Sequence, residues 1–335
     1  MRRMLLLLAL NLLAGLPAAR AAWFEREEAI MGTRIAVQLW CDDSVLAVNA
    51  IDAVMADMHR TDELMSTYKP ASQLSQVNAH AFERPVQVDP DIIDVVMKSL
   101  EYSRISDGAF DITYASVGYL YDYRARRHPT DEQIKAALPG VDYRHLEVDP
   151  VARTIRFLKP GMRIDLGGIA KGWAVDRGIE ILRRMGIEHA MVNAGGDTAL
   201  LGDRLGKPWV VGIRDPRKQG AVVARIPLQD EAISTSGDYE RYFEEDGQRY
   251  HHILVPGTGK SPDAVRSVTV IGANATRTDG LTKTVFILGV ERGMEFIRKL
   301  GDVEAVIVDR EGRIFYSAGL ESPQQPSGAT DRREM

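Results

Sequence analysis

Hydrophobic positions change their period repeatedly along the chain, and each change marks an element. Over residues 33–40, Ile35, Val37 and Leu39 alternate with Arg34, Ala36 and Gln38, the period-2 pattern of a half-buried strand. From residue 44 the spacing lengthens. Val48, Ile51, Met55, Met58 and Met65 fall on one stripe of a helix running to residue 68, and its methionines read as core. Asp42 or Asp43 is placed to cap this helix, and Pro70 stops it. A short helix over 72–78 follows. Residues 89–106 predict an amphipathic helix with Ile92, Val95, Val96, Leu100 and Ile105 inward, ended by Asp107-Gly108. Residues 114–127 are rich in Tyr and Arg without a clear period, as a cleft-lining loop or an irregular surface would be.

Residues 146–148 and 154–158 predict a hairpin leading into a central strand at 162–164, with a helix over 169–184. A buried strand over 189–193 precedes strands at 209–214, 221–227 and 231–235. Residues 239–244 and 249–254 flank Glu245-Asp246-Gly247-Gln248, a hairpin with an Asp-Gly turn. A strand at 265–272, helices at 275–288 and 291–300, and strands at 303–308 and 313–316 complete the pattern. There is no internal repeat, and strands and helices alternate irregularly. The expected fold class is α+β, one compact domain over 23–320 with mixed sheets packed against helices, not a doubly wound parallel sheet. Residues 321–335, polar and carrying two prolines, predict a disordered tail.

Composition and the N-terminus narrow the setting. Met1-Arg2-Arg3, an apolar run over 4–16 and Pro17-Ala18-Ala19-Arg20-Ala21-Ala22 form a basic, an apolar and a small-residue region in turn, the pattern of a signal peptide over 1–22. The apolar run is too short to span a bilayer, so no membrane span is expected after cleavage. The expected location is periplasmic or otherwise exported. Without Arg2, Arg3 and Arg20 the chain keeps 39 basic residues against 47 acidic ones, a net charge of −8. That charge argues against nucleic acid as a partner. Cys41 is the one cysteine, so no internal disulfide supports the fold.

The most informative stretch is Asp165-Leu166-Gly167-Gly168-Ile169-Ala170-Lys171-Gly172. Adjacent glycines at a helix start let backbone approach an anion, helix N–H groups face it, and Lys171 adds a charge. An ordinary strand-to-helix turn would read the same, since neither dinucleotide-binding nor P-loop spacing is present. Asn193-Ala194-Gly195-Gly196-Asp197 reads as a tight turn after a buried strand. Adjacent His251 and His252 on a strand point to opposite faces, so they make a poor two-ligand metal site and one is expected to be structural. Thr278-Asp279-Gly280-Leu281-Thr282-Lys283-Thr284 opens a helix and reads as a cap when taken alone. There is no Gly-x-Ser-x-Gly, His-Glu-x-x-His or Cys-x-x-Cys. A hard cation on Asp165, Asp279 and carbonyls around Gly168 suits the chain better than zinc.

Taken in order, these motifs resemble the ApbE-type flavin transferase family, FAD:protein FMN transferases. The resemblance rests on Met31-Gly32-Thr33, Ser66-Thr67-Tyr68, Gly108-Ala109-Phe110-Asp111-Ile112-Thr113, residues 165–172 and 193–197, Ser236-Gly237-Asp238-Tyr239, and residues 252–259 and 279–289. It implies an exported enzyme that cleaves FAD, releases AMP and links FMN through a phosphoester to a Ser or Thr of a partner redox protein. It places Met31, Tyr68, Ala109, Phe110, Asp111, Asp165, Lys171 and Ile253 on FAD. The Gly168 carbonyl and Asp279 would hold Mg²⁺, and His252 would orient groups or move a proton. One position departs from the family pattern: Lys283 stands where the family carries a metal-binding Thr. A protonated lysine cannot ligate a cation, and Thr282 or Thr284 would have to supply the oxygen. The resemblance therefore implies a transferase with Lys283 in its reacting site. The alternatives are a catalytically silent FAD-binding module, or an FAD pyrophosphatase that releases FMN and AMP.

Overall fold

The computed structural model describes residues 21–218 and 220–320, so residues 1–20 of the expected signal peptide and the expected disordered tail lie outside the described residues, while Ala21 and Ala22 are described and Ala22 opens the first strand. Strands β1 (Ala22–Ile30) and β2 (Thr33–Cys41) form an opening hairpin. Helices α1 (Ser44–Met65) and α2 (Gln73–His80), the short strand β3 (Val86–Gln87) and α3 (Pro90–Ile105) follow. Short helices α4 (Ala115–Gly118) and α5 (Asp131–Ala137) precede the hairpin of β4 (Leu146–Asp149) and β5 (Thr154–Phe157). Beyond α6 (Ala170–Arg184) come β6 (Ala190–Ala194), β7 (Asp197–Leu201), β8 (Trp209–Arg214), β9 (Val222–Leu228) and β10 (Ala232–Gly237). The hairpin of β11 (Tyr242–Glu245) and β12 (Gln248–His251), then β13 (Val265–Gly272), α7 (Ala275–Leu300), β14 (Glu304–Asp309) and β15 (Ile314–Tyr316) complete the order.

Eight strands form the main sheet in the order β1-β2-β6-β7-β10-β13-β14-β15. The α+β expectation holds, but each ladder among the described residues is antiparallel where sheets of mixed direction were expected. Helices α1, α6 and α7 lie side by side on one face of the main sheet, and the β8–β9 hairpin packs through Trp209, Ile213 and Leu228 on the other. Strand β10 shows both environments. Ile233 faces Trp209, while Ser234 and Ser236 face α7 and bond Thr278 and Thr282 at 2.8 and 2.7 Å. Pairing buried hydroxyls in this way removes most of the penalty for desolvating them.

Several predicted details change. Asp43, not Asp42, caps α1 by accepting from the backbone of Val45 and Leu46. Val48 and Ile105 sit on exposed faces, although Ile51, Met55, Met58, Val95 and Leu100 are buried as expected. Residues 162–164 form no ladder. Ile164 instead exchanges two hydrogen bonds with the Asn78 side chain, at 2.8 and 2.9 Å, so the predicted central strand is a backbone tie to α2. Strands β1 and β7 and helix α5 carry no clear periodic mark. The two final helices are one element broken at Gly289, whose φ of 78° belongs to the left-handed region that glycine tolerates.

Candidate functional site

The site forms where the starts of α6 and α7 meet the ends of β6, β7 and β10. The helices can approach because Gly172 has no side chain: a Cβ there would lie 2.2 Å from the Ala275 carbonyl oxygen. Asp176 on α6 accepts from the Ala275 and Thr276 N–H groups at 2.7 and 2.8 Å, fixing the start of α7. In return Asp279 on α7 accepts from the Gly172 N–H at 3.0 Å. Each helix thus satisfies free N–H groups of the other with a carboxylate, which the helix dipole also favours.

Two lysines and two aspartates meet at this junction. Asp197 and Asp279 are 1% and 0% exposed, whereas the Lys171 and Lys283 side chains keep 25% and 15% exposure. The Lys171 ammonium donates to Asp197 and lies 3.8 Å from Asp279 Oδ2. The Lys283 ammonium donates to Asp279 Oδ1 from one helical turn further along α7. Burial opposes the Lys171 charge, but Asp197 and Asp279 outweigh it and hold its pKa above the ordinary lysine value. Burial also works against the Asp197 carboxylate, and Lys171 followed by Lys283 overcomes it, so that carboxyl sits below its usual range. Asp279 goes the other way: burial and the Asp197 charge push it up, against the two lysines. Asp197 Oδ1 is buried without a partner.

The Gly167-Gly168 turn forms one side of this cluster. A Cβ at Gly168 would lie 3.5 Å from the Phe110 ring and 3.8 Å from Lys283 Cγ. Asp165 braces the turn by accepting from the Gly167 N–H at 2.7 Å and from the Thr67 hydroxyl at 3.0 Å. Met31 and Gly32, both at positive φ, make the β1–β2 turn, and the Arg241 guanidinium lies against it, 3.3 Å from a Cβ position at Gly32. The Arg241 charge bears on both Lys171 and His252. Tyr68, at 81% exposure, leaves its ring open to solvent.

His251 donates through Nε2 to the Pro262 carbonyl at 2.7 Å and is the structural member of the histidine pair. His252 has an unpartnered Nδ1, and burial, followed by the charges of His251, Arg241 and Lys283, holds its pKa down to about 3. It is therefore neutral at pH 7.

Several predicted contacts take other roles. Asp111 is buried with both oxygens engaged: Oδ1 accepts from the Thr113 N–H and hydroxyl, and Oδ2 accepts from the Tyr143 N–H at 2.9 Å. It organises the loop through both oxygens. Ala109, Phe110 and Ile253 are buried, Phe110 edge-on to Tyr102. The expected Mg²⁺ set of the Gly168 carbonyl, Asp279 and Thr282 is not assembled for a divalent ion. The Thr282 hydroxyl is engaged with Ser236 and the Asp279 carbonyl, and both Asp279 oxygens already have donors. Among the described residues no group of three His, Cys, Asp or Glu could hold a metal. Asp197 and Arg241 received no role from the sequence. Asp197 follows a Gly-Gly turn that gives no hint of Lys171, 26 residues earlier.

The description "ApbE family" belongs to the family model that matches residues 31–307. An FAD:protein FMN transferase of Vibrio cholerae is 36% identical over 261 residues, covering 75% of this chain and 76% of its own. Another of that name from Klebsiella pneumoniae is 31% identical over 300 residues, covering 88% and 91%. The crystal structure of the ApbE protein of Thermotoga maritima superposes with a TM-score of 0.83 at 32% identity, over 89% of this chain and 98% of that one.

Proposed function

The chain belongs to the ApbE family and is an enzyme of flavin transfer, and from that premise we propose that it moves FMN from FAD onto a Ser or Thr hydroxyl of a partner protein. One observation carries the reading: a buried cluster of two lysines and two aspartates beside a Gly-Gly turn and a helix N-terminus, with Arg241 at its edge. Phosphoryl transfer needs positioning and charge neutralisation above all, and fixed cations with helix N–H groups supply both.

In the proposed step the acceptor oxygen forms a bond to the phosphorus on the riboflavin side of FAD. The bond from that phosphorus to the bridging oxygen breaks, and AMP leaves with the bridging oxygen. The hydroxyl proton is released to water, because a histidine held down to about 3 is too weak a base to keep it, and the neutral His252 is left to orient groups. Lys171 and Arg241 hold the pyrophosphate, Met31 and the open Tyr68 ring lie along the ligand, and Asp165 keeps the Gly167-Gly168 turn in shape. No step passes through Mg²⁺, because the Asp279 oxygens and the Thr282 hydroxyl are engaged elsewhere.

The apolar, small-residue N-terminus supports export, with residues 23–320 as the working domain and a periplasm-facing redox protein as acceptor. Among the described residues no helix is long and apolar enough to cross a membrane. Incubating the mature chain with FAD and a Ser/Thr acceptor peptide tests the reading. Equal amounts of AMP and flavinylated peptide are expected. AMP with free FMN in the absence of acceptor would identify a pyrophosphatase, and bound FAD without AMP a binding module.

A further inference from the structure

The site has an internal cation where a divalent metal would have to act. Lys283 lies one turn after Asp279 on α7, and its ammonium donates to Asp279 Oδ1. Its stem packs against the Gly168 turn, with Cγ and Cε 3.8 and 3.9 Å from a Cβ position there, so the ammonium reaches Asp279 from beside that turn. The other Asp279 oxygen accepts from the Gly172 N–H and lies 3.8 Å from Lys171. Magnesium demands a near-octahedral set of oxygen donors, and an ammonium offers none. An ion brought to Asp279 would have to displace the Lys283 ammonium or sit against its like charge. The balance is already met without one: Lys171 and Lys283 offset Asp197 and Asp279, which leaves Arg241 in excess to face a pyrophosphate.

We propose that Lys283 is a built-in replacement for the metal, so that this chain holds the FAD pyrophosphate and transfers FMN without a divalent cation. The proposal rests on the flavin-transfer reading for its ligand, but its central claim, that position 283 excludes Mg²⁺, is measured independently of turnover. In the step itself the same bonds form and break as above. Lys283 contributes a fixed positive charge beside the oxygens on which negative charge grows, and no redox partner or further reactant is needed.

Two readouts test it on the full mature chain. Calorimetric titration of Mg²⁺, with and without FAD, should show no saturable binding to the wild type and saturable binding to Lys283→Thr. FAD affinity, followed by flavin fluorescence, should be the same for the wild type in EDTA and in Mg²⁺. Lys283→Met removes the charge but keeps an unbranched stem, and it should weaken FAD about tenfold to a hundredfold in either buffer. Lys283→Thr should lose affinity in EDTA and recover it in Mg²⁺. Saturable Mg²⁺ binding by the wild type, or a wild-type FAD affinity that collapses in EDTA, would overturn the proposal even if both variants failed to fold. If the wild type binds FAD independently of Mg²⁺ but releases no AMP with any acceptor, the transfer reading fails while the replacement stands.

Discussion

Two groups of ion pairs in this molecule each join a basic side chain to a carboxylate, and they teach opposite lessons. At the edge of the main sheet, Arg34 pairs with Glu27 within the β1–β2 hairpin and Arg26 reaches Asp52 on α1, each side chain at least 35% exposed. At the α6–α7 junction, Lys171 and Lys283 pair with two aspartates that water does not reach. Water and salt screen the first set, and each side chain there can be solvated alone. In the second set the aspartates depend on the lysines, so losing one partner leaves a stranded charge. Geometry alone does not separate the two sets; burial does.

The widest separation between them is expected from Asp279→Ala. It leaves Lys283 without its partner and the Gly172 N–H without its acceptor, and should lower stability by about 3–5 kcal/mol in chemical denaturation. A loss under about 1 kcal/mol would show that the junction is as forgiving as the hairpin. Gly172→Ala follows, because a Cβ 2.2 Å from the Ala275 carbonyl forces the two helices apart. A loss of about 1–3 kcal/mol in the same assay, with FAD binding weakened as the lysines shift, is expected.

A third effect depends on pH. The folded pKa of His252 is about 3 against 6.5 for a free histidine, and burial lowers His251 as well. As pH falls below about 6.5, the unfolded chain takes up protons that the folded chain refuses, so stability falls until the folded value is reached. Asp279 and Asp111, held above the usual carboxylate range, act in the opposite direction at lower pH. Thermal scans from pH 7 to pH 5 should show a falling Tm, and His252→Gln should flatten that fall. The smallest effect is predicted for Glu27→Gln on the hairpin: no resolvable change in Tm, and none in FAD binding. A clear loss there would mean that the exposed pair carries weight that its setting does not explain.

Legibility followed the strength of local patterns. Helices α1 and α3 show a stripe over several turns, and the β11–β12 hairpin carries Asp246-Gly247 at the positive φ angles its turn requires. Strand β1 lacks such a mark because charged residues occupy both of its faces: Glu25 and Glu27 are exposed, and Arg26 and Glu28 are half-buried and pair with α1. Strand β7 lacks one for the opposite reason: all five residues are buried, and alternation disappears. At residues 162–164 the apolar spacing suggested a ladder strand, but Asn78 supplies the hydrogen bonds, which no spacing rule foresees.

The α+β class, most of the helices and hairpins, and the ordered motifs that mark the family were legible along the chain, because these depend on residues close together in it. The sequence also put Lys283 in view as an oddity at a known spacing from Asp279. The surroundings of these residues emerged with the fold. Asp111 turned inward to hold a loop, Thr282 turned to Ser236, and Asp197 joined Lys171 across two elements. The physical reason is that a charge or hydroxyl takes its role from the groups that bury it, and here those groups come from distant parts of the chain. Local spacing can place Lys283 one turn from Asp279, but only the contact of α6 with α7 buries that aspartate and brings Lys171 within 3.8 Å of it.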